Sequence, residues 1–133
     1  MEKHSGTAER YLSKLSRLLQ VIDRQQIDQS IALIEEAWMA GRRIITLGNG
    51  GSSLTALHFI TDWNKSIFLA TGRPFRGQSL VDNIGLLMAY ANDISFEDVF
   101  VEQLKNLLEP NDLVIAISGS GNSPNVVKAV EYA

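Results

Sequence analysis

Leu113-Val114-Ile115-Ala116-Ile117 runs straight into Ser118-Gly119-Ser120-Gly121-Asn122-Ser123-Pro124. A short apolar run that ends in a cluster of turn formers reads as a buried strand. Pro124 suits the first position of a helix, where a missing N–H costs nothing, and Ser123 suits the N-cap before it. Val126, Val127 and Val130 then begin a helical stripe. The segment is therefore strand, Gly/Ser loop and helix N-terminus in immediate succession. The first N–H groups of such a helix have no intrahelical partner, and the helix dipole places roughly half a positive charge there. Glycines let the backbone approach a ligand, and serine hydroxyls add donors. That combination suits an anion.

The same succession occurs upstream. Arg43-Ile44-Ile45-Thr46-Leu47 reads as a second buried strand, followed at once by Gly48-Asn49-Gly50-Gly51-Ser52-Ser53. A helix is predicted from about residue 53 to 64, with Leu54, Leu57 and Thr61 on one face. Either loop alone could be a plain capped turn, Ser52 serving as the N-cap of the first. Two such loops, each behind an apolar strand, argue for a ligand at the carboxyl ends of a parallel sheet. A Walker loop is excluded, since neither loop has a lysine before its Ser/Thr. A dinucleotide fingerprint fits poorly, because serine stands where a third small residue should meet the strand.

Outward from these loops, Leu12, Leu15, Leu18, Leu19 and Ile22 form one helical stripe, and Ile27, Ile31, Ile34 and Trp38 another. Gly41 stands where a C-terminal glycine belongs. These stripes predict core or intersubunit packing. Residues 65–76 read as a loop broken by Gly72 and Pro74, and Gln78-Ser79-Leu80-Val81 as a further strand. Ile84, Leu87, Met88 and Ala91 predict one helix; Phe96, Val99, Phe100, Leu104 and Leu107 predict another; Pro110-Asn111-Asp112 is a turn. Strands alternating with helices predict an α/β fold, a parallel sheet with helices on both faces.

Composition narrows the functions. The 133 residues suffice for one domain with a core, and 45% apolar with 20% charged residues is ordinary for a globular chain. A net charge of −3 argues against direct nucleic-acid binding and against anionic membranes. One phosphate remains admissible, held by backbone amides. Without cysteine there are neither disulfides nor thiolate metal sites. The polar start Met1-Glu2-Lys3-His4-Ser5-Gly6 is no signal peptide, and no apolar run approaches the ~20 residues of a membrane helix. A cytoplasmic location is the expectation.

Taken together, the motifs resemble the SIS (sugar isomerase) domain. Gly48-Asn49-Gly50-Gly51-Ser52 closely resembles its phosphoheptose isomerase branch, and Ser118-Gly119-Ser120-Gly121-Asn122-Ser123 its general phosphate loop. Asn92-Asp93 and His58-Phe59 are similar to two further motifs. The resemblance implies one SIS domain over residues 1–133. Its form would be a three-layer αβα sandwich of flavodoxin-like type, with a helical arm over about 5–41 and a sugar-phosphate-binding core over 42–133. It implies phosphate binding by Ser118, Gly119, Ser120 and Ser123, help from Asn49, Gly50, Gly51 and Ser52, and contact of Asp93 with substrate hydroxyls. It implies a small phosphorylated sugar as partner, a homo-oligomer (dimer or tetramer), and aldose–ketose isomerisation of sedoheptulose 7-phosphate toward lipopolysaccharide. In such a reaction a proton leaves the carbon alpha to a carbonyl and returns to its neighbour. The resemblance assigns that work to His58 and Asp62, and brings in zinc, bound by them, as the one candidate cofactor. Positions 58 and 62 share a helical face. Either could instead be an ordinary surface side chain, Asp62 beside Lys65 or Lys14.

Two departures stand out. Asp62 replaces the family's glutamate, one methylene shorter. The resemblance also leads one to expect further strands and a C-terminal helix, so the sequence looks like the family's first two thirds, with an exposed sheet edge. A non-catalytic SIS protein, one that senses sugar phosphates or binds a replication initiator, is the alternative function; a subunit lending loops to a partner's site is a third.

Overall fold

The computed structural model describes residues 6–133, which divide into two compact units at residues 32 and 33. In the first unit, α1 (Thr7–Val21) ends where Ile22 turns to extended backbone, and none of its residues is buried. Leu12, Leu15, Leu18 and Leu19 all lie on its exposed surface. The helix α2 (Arg24–Met39) starts at Asp23, whose carboxylate accepts the Gln25 and Gln26 N–H groups at 3.0 and 3.2 Å, and it runs across the division. It closes as the sequence predicts. Gly41 takes φ 69°, and the Arg42 N–H reaches back to the Ala37 carbonyl at 2.9 Å.

The second unit is built on a parallel three-stranded sheet, β1 (Ile44–Gly48), β2 (Gly77–Ser79) and β3 (Leu113–Ile117), ordered β2-β1-β3. Five further helices surround it: α3 (Gly51–Asp62), α4 (Phe68–Thr71), α5 (Ile84–Asp93), α6 (Val101–Leu107) and α7 (Pro124–Tyr132). Alternation along the central strands sorts two cores. Ile45 and Leu47, with Val114 and Ala116 beside them, pack against Leu80, Phe100, Leu104 and Val126. Ile44, with Leu113 and Ile115, packs against Ala37, Phe75 and Trp63. Apolar side chains on both faces of one sheet make three layers. Each fully buried Ile or Leu contributes roughly 1.5–3 kcal/mol. β1 is buried throughout, whereas β3, with only one strand beside it, is half-buried along its length.

Polar side chains set the register. The Asp112 carboxylate, nearly buried, accepts the Arg43 N–H and the Glu109 N–H, each at 3.0 Å, while the Arg43 guanidinium donates to the Leu107 carbonyl at 2.7 Å. This clamp aligns the starts of β1 and β3. The buried Thr46 hydroxyl donates to the Ala56 carbonyl at 2.9 Å and seats α3 on the sheet.

Three expectations change. Residues 65–71 are helical rather than loop: α3 passes into one π turn, Trp63–Ile67, and then into α4, which stops at Gly72 with φ 70°. The wide turn carries Asn64, whose amide accepts from the Gly77 N–H and donates to its carbonyl, both at 3.0 Å. These Gly77 groups face away from β1, so Asn64 satisfies the outer edge of β2. That edge lies one residue before the predicted strand and ends at Ser79, although the Leu80 N–H still bonds to Thr46 at 2.9 Å. The stripe from Phe96 to Leu107 is not one helix. A 3₁₀ turn, Phe96–Asp98, precedes α6. Asp98 accepts from the Ser95 hydroxyl at 2.6 Å and from Lys128 at 2.9 Å. These two bonds hold its carboxyl below the usual range, and Asp98 in turn raises Lys128.

Candidate functional site

Both Gly/Ser loops leave the carboxyl ends of neighbouring strands, with Gly48 opposite Ile117. A side chain at Gly48 would come within 2.8 Å of the Ile117 carbonyl and 2.9 Å of the Ser52 backbone. Only glycine lets β1, β3 and the first turn of α3 meet this closely. Gly50, at φ 52°, then swings the chain into the helix. The cap position is therefore Gly50 and not Ser52, which lies half-buried in the first turn. Ser52 and Ser53 donate their N–H groups to the Asn49 carbonyl at 2.9 and 3.3 Å. Gly51 opens the helix, so its N–H has no carbonyl one turn behind it within the helix.

The second loop is self-braced. The Ser118 hydroxyl accepts the Gly121 N–H at 3.1 Å and the Ser120 hydroxyl accepts the Asn122 N–H at 3.2 Å, with Gly121 at φ 69°. A hydroxyl used as acceptor keeps its proton, so Ser118 and Ser120 can still donate to an anion. Ser123 is the cap residue and Pro124 the first helical residue, as predicted. Ser123 makes no capping bond with its side chain, which leaves that hydroxyl available too. Gly119 is open to solvent, with nothing close to its α-carbon.

The loops are tied together by a residue the sequence did not single out. Asn125, the second residue of α7 and 2% exposed, pairs its carboxamide with that of Asn49 in both directions, at 2.8 and 2.9 Å. A polar residue just behind the helix start was the available signal, but its burial depends on packing.

His58 and Asp62 meet on α3, imidazole Nε2 to carboxylate at 3.1 Å, both largely exposed. Asp62 thus faces His58, and among the described residues no lysine forms an ion pair with it. The pair can pass a proton between imidazole and carboxylate. It does not form a zinc site by itself, since catalytic zinc takes three protein ligands and no group of three His, Cys, Asp or Glu is gathered among the described residues. Asp93 ends α5, exposed, and accepts from the Asn92 amide at 2.7 Å. None of the hydrogen bonds among the described residues joins it to either loop. The first loop itself, through Gly48, Asn49, Gly50 and Ser53, lines a cleft of about 320 Å³ whose other walls are apolar, Leu54, Leu57, Val81, Ile84 and Phe96 among them.

A parallel α/β unit with two adjoining strand–loop–helix junctions, and a His–Asp pair on the first of those helices, defines the class by fold and site. Within that class the chain belongs to the SIS domain family, whose model matches residues 10–133. A probable phosphoheptose isomerase of Thermoplasma acidophilum is 33% identical over 126 residues, covering 95% of this chain and 69% of its own length. A phosphoheptose isomerase of Bordetella avium is 38% identical over 104 residues, 78% of this chain and 52% of its own. The solved structure of phosphoheptose isomerase from Neisseria gonorrhoeae superposes with a TM-score of 0.80 at 27% identity, over 98% of this chain and 67% of that one. The chain thus spans between half and just over two thirds of the length of these relatives.

Proposed function

We propose that this chain binds a phosphorylated sugar across its two loops and serves the aldose–ketose isomerisation of sedoheptulose 7-phosphate. The observation that carries this reading is the register of Gly48 against Ile117, which sets two helix N-termini side by side at the sheet's carboxyl end. Ser118, Ser120 and Ser123 would donate hydroxyls to the phosphate, and the Gly50–Ser52 backbone would face the same anion. Asp62 would take the proton alpha to the carbonyl and His58 would move protons at the oxygens. No step here passes through a metal. A cytoplasmic setting agrees with this use, and no described helix is long and apolar enough to cross a membrane.

Calorimetry tests the binding. Sedoheptulose 7-phosphate should bind, and Ser120→Ala should weaken it by about tenfold, the usual value of one hydrogen bond to a charged group. Equal affinity for phosphorylated and unphosphorylated sugar would remove the loops from the reading.

A second reading is non-catalytic, a sensor or interaction module. Its support is that the His58–Asp62 pair belongs to no larger cluster among the described residues, and that Asp62 closes α3 at the end away from the loop, roughly 16 Å along the helix at ~1.5 Å per residue.

Association of subunits is also proposed. The stripe of Leu12, Leu15, Leu18 and Leu19 lies exposed within its own unit, an apolar helical face of the kind that marks an interface. Light scattering should give a dimer or tetramer, and Leu15→Glu with Leu19→Glu should shift it to monomer. A wild-type monomer at high concentration would oppose this.

A further inference from the structure

We propose that Asn125 is a positioning residue: through its two-way amide pair with Asn49 it sets the first loop against the second and thereby shapes the anion site. This rests on the phosphate-loop reading above. Asn125 is 2% exposed, so it cannot reach a ligand in the open loops, and burial of an amide is tolerated only when its polar atoms are met. They are met by Asn49: the Asn49 amide donates to Asn125 Oδ1 at 2.8 Å, and the Asn125 amide donates to Asn49 Oδ1 at 2.9 Å. Asn125 Oδ1 also accepts the Val126 N–H at 3.0 Å, which joins the pair to the first turn of α7.

The consequence runs through the Asn49 backbone. The carbonyl of Asn49 accepts Ser52 and Ser53, the N–H groups that define the first turn of α3. Fixing the Asn49 side chain therefore fixes where that turn begins, directly behind the Ser123–Pro124 start of α7. The same pairing spends one N–H and one lone pair of Asn49, so its side chain serves the loop before it serves a ligand. A carboxamide gives and accepts through two separate atoms, which lets the two side chains pair in both directions; an aspartate at 125 could accept from Asn49 but not donate to it.

The test combines phosphate binding with amide exchange on the whole chain. Asn125→Ala and Asn49→Ala should each raise the Kd for inorganic phosphate and for sedoheptulose 7-phosphate about tenfold, as expected for residues acting in one contact. The double variant should bind no worse than either single one. Fully additive losses would mean that Asn49 meets the ligand independently, and would overturn the proposal. Without ligand, the Ser52 and Ser53 amides should exchange faster in Asn125→Ala while Leu104, deep in the core, keeps its protection. Unchanged exchange at Ser52 and Ser53 would also overturn it. If the wild type binds no phosphate, the phosphate-loop reading fails and the exchange experiment alone decides the role of Asn125. Should Asn125→Ala not fold, Asn125→Asp keeps the size and one bond but loses the donor, and the same loosening of Ser52 and Ser53 is expected.

Discussion

Gly48→Ala should destabilise the protein by roughly 3 kcal/mol, a drop in Tm on the order of 10 °C, and should abolish phosphate binding with it. The added methyl would stand 2.8 Å from the Ile117 carbonyl and 2.9 Å from the Ser52 backbone. Both obstacles are main chain, so no rotamer change relieves them. Either β3 moves away from β1, which breaks the register at Gly48 and Ile117, or the first turn of α3 shifts and its N–H groups lose their aim. Gly51→Ala is the matched control. A methyl added at Gly51 would meet nothing within 4 Å and its φ is not positive, so alanine there should leave Tm unchanged or slightly higher. Thermal melts with phosphate titrations compare the two. A Gly48→Ala protein that melts and binds like the wild type would show that the strand ends are looser than the structure has them.

Turnover should separate from binding. The 133-residue chain should bind sedoheptulose 7-phosphate and yet isomerise it about 10²-fold more slowly than the Thermoplasma acidophilum relative, because its base is an aspartate whose reach is shorter. Among the described residues His58 and Asp62 form an isolated pair toward the C-terminal end of α3. Aspartate is also one methylene short of the glutamate the family resemblance implies, and misplacing a base by about 1 Å can cost ~10²-fold. Asp62→Glu should therefore hold or raise the residual rate, whereas Asp62→Asn should remove it and leave phosphosugar affinity nearly intact. A coupled assay of sugar-phosphate isomerisation with calorimetry on the same samples checks both. Turnover at the relative's rate would show that His58 and Asp62 suffice; Asp62→Asn at the wild-type rate would take Asp62 out of the mechanism.

The local chemistry of the chain was legible without any structure. A short continuous apolar run ending in a Gly/Ser cluster specifies strand and loop through short-range sterics, so β1, β3 and both loops stand where the sequence places them. Gly41 and the Ser123–Pro124 start are local backbone preferences and hold for the same reason. His58 and Asp62 share a face because a helix repeats every 3.6 residues. Only the tertiary structure decided the rest. The π turn at Trp63–Ile67 carries Asn64 to the open edge of Gly77, a contact no local propensity encodes. The stripe from Phe96 to Leu107 breaks at the 3₁₀ turn, where Asp98 accepts from nearby Ser95 and also from Lys128, which is distant in sequence. Asn125 reads as a helix-start residue until the packing of α7 buries it against Asn49. In each case a polar side chain is paired across the fold, and which partner comes within hydrogen-bonding distance is settled only when distant segments come together.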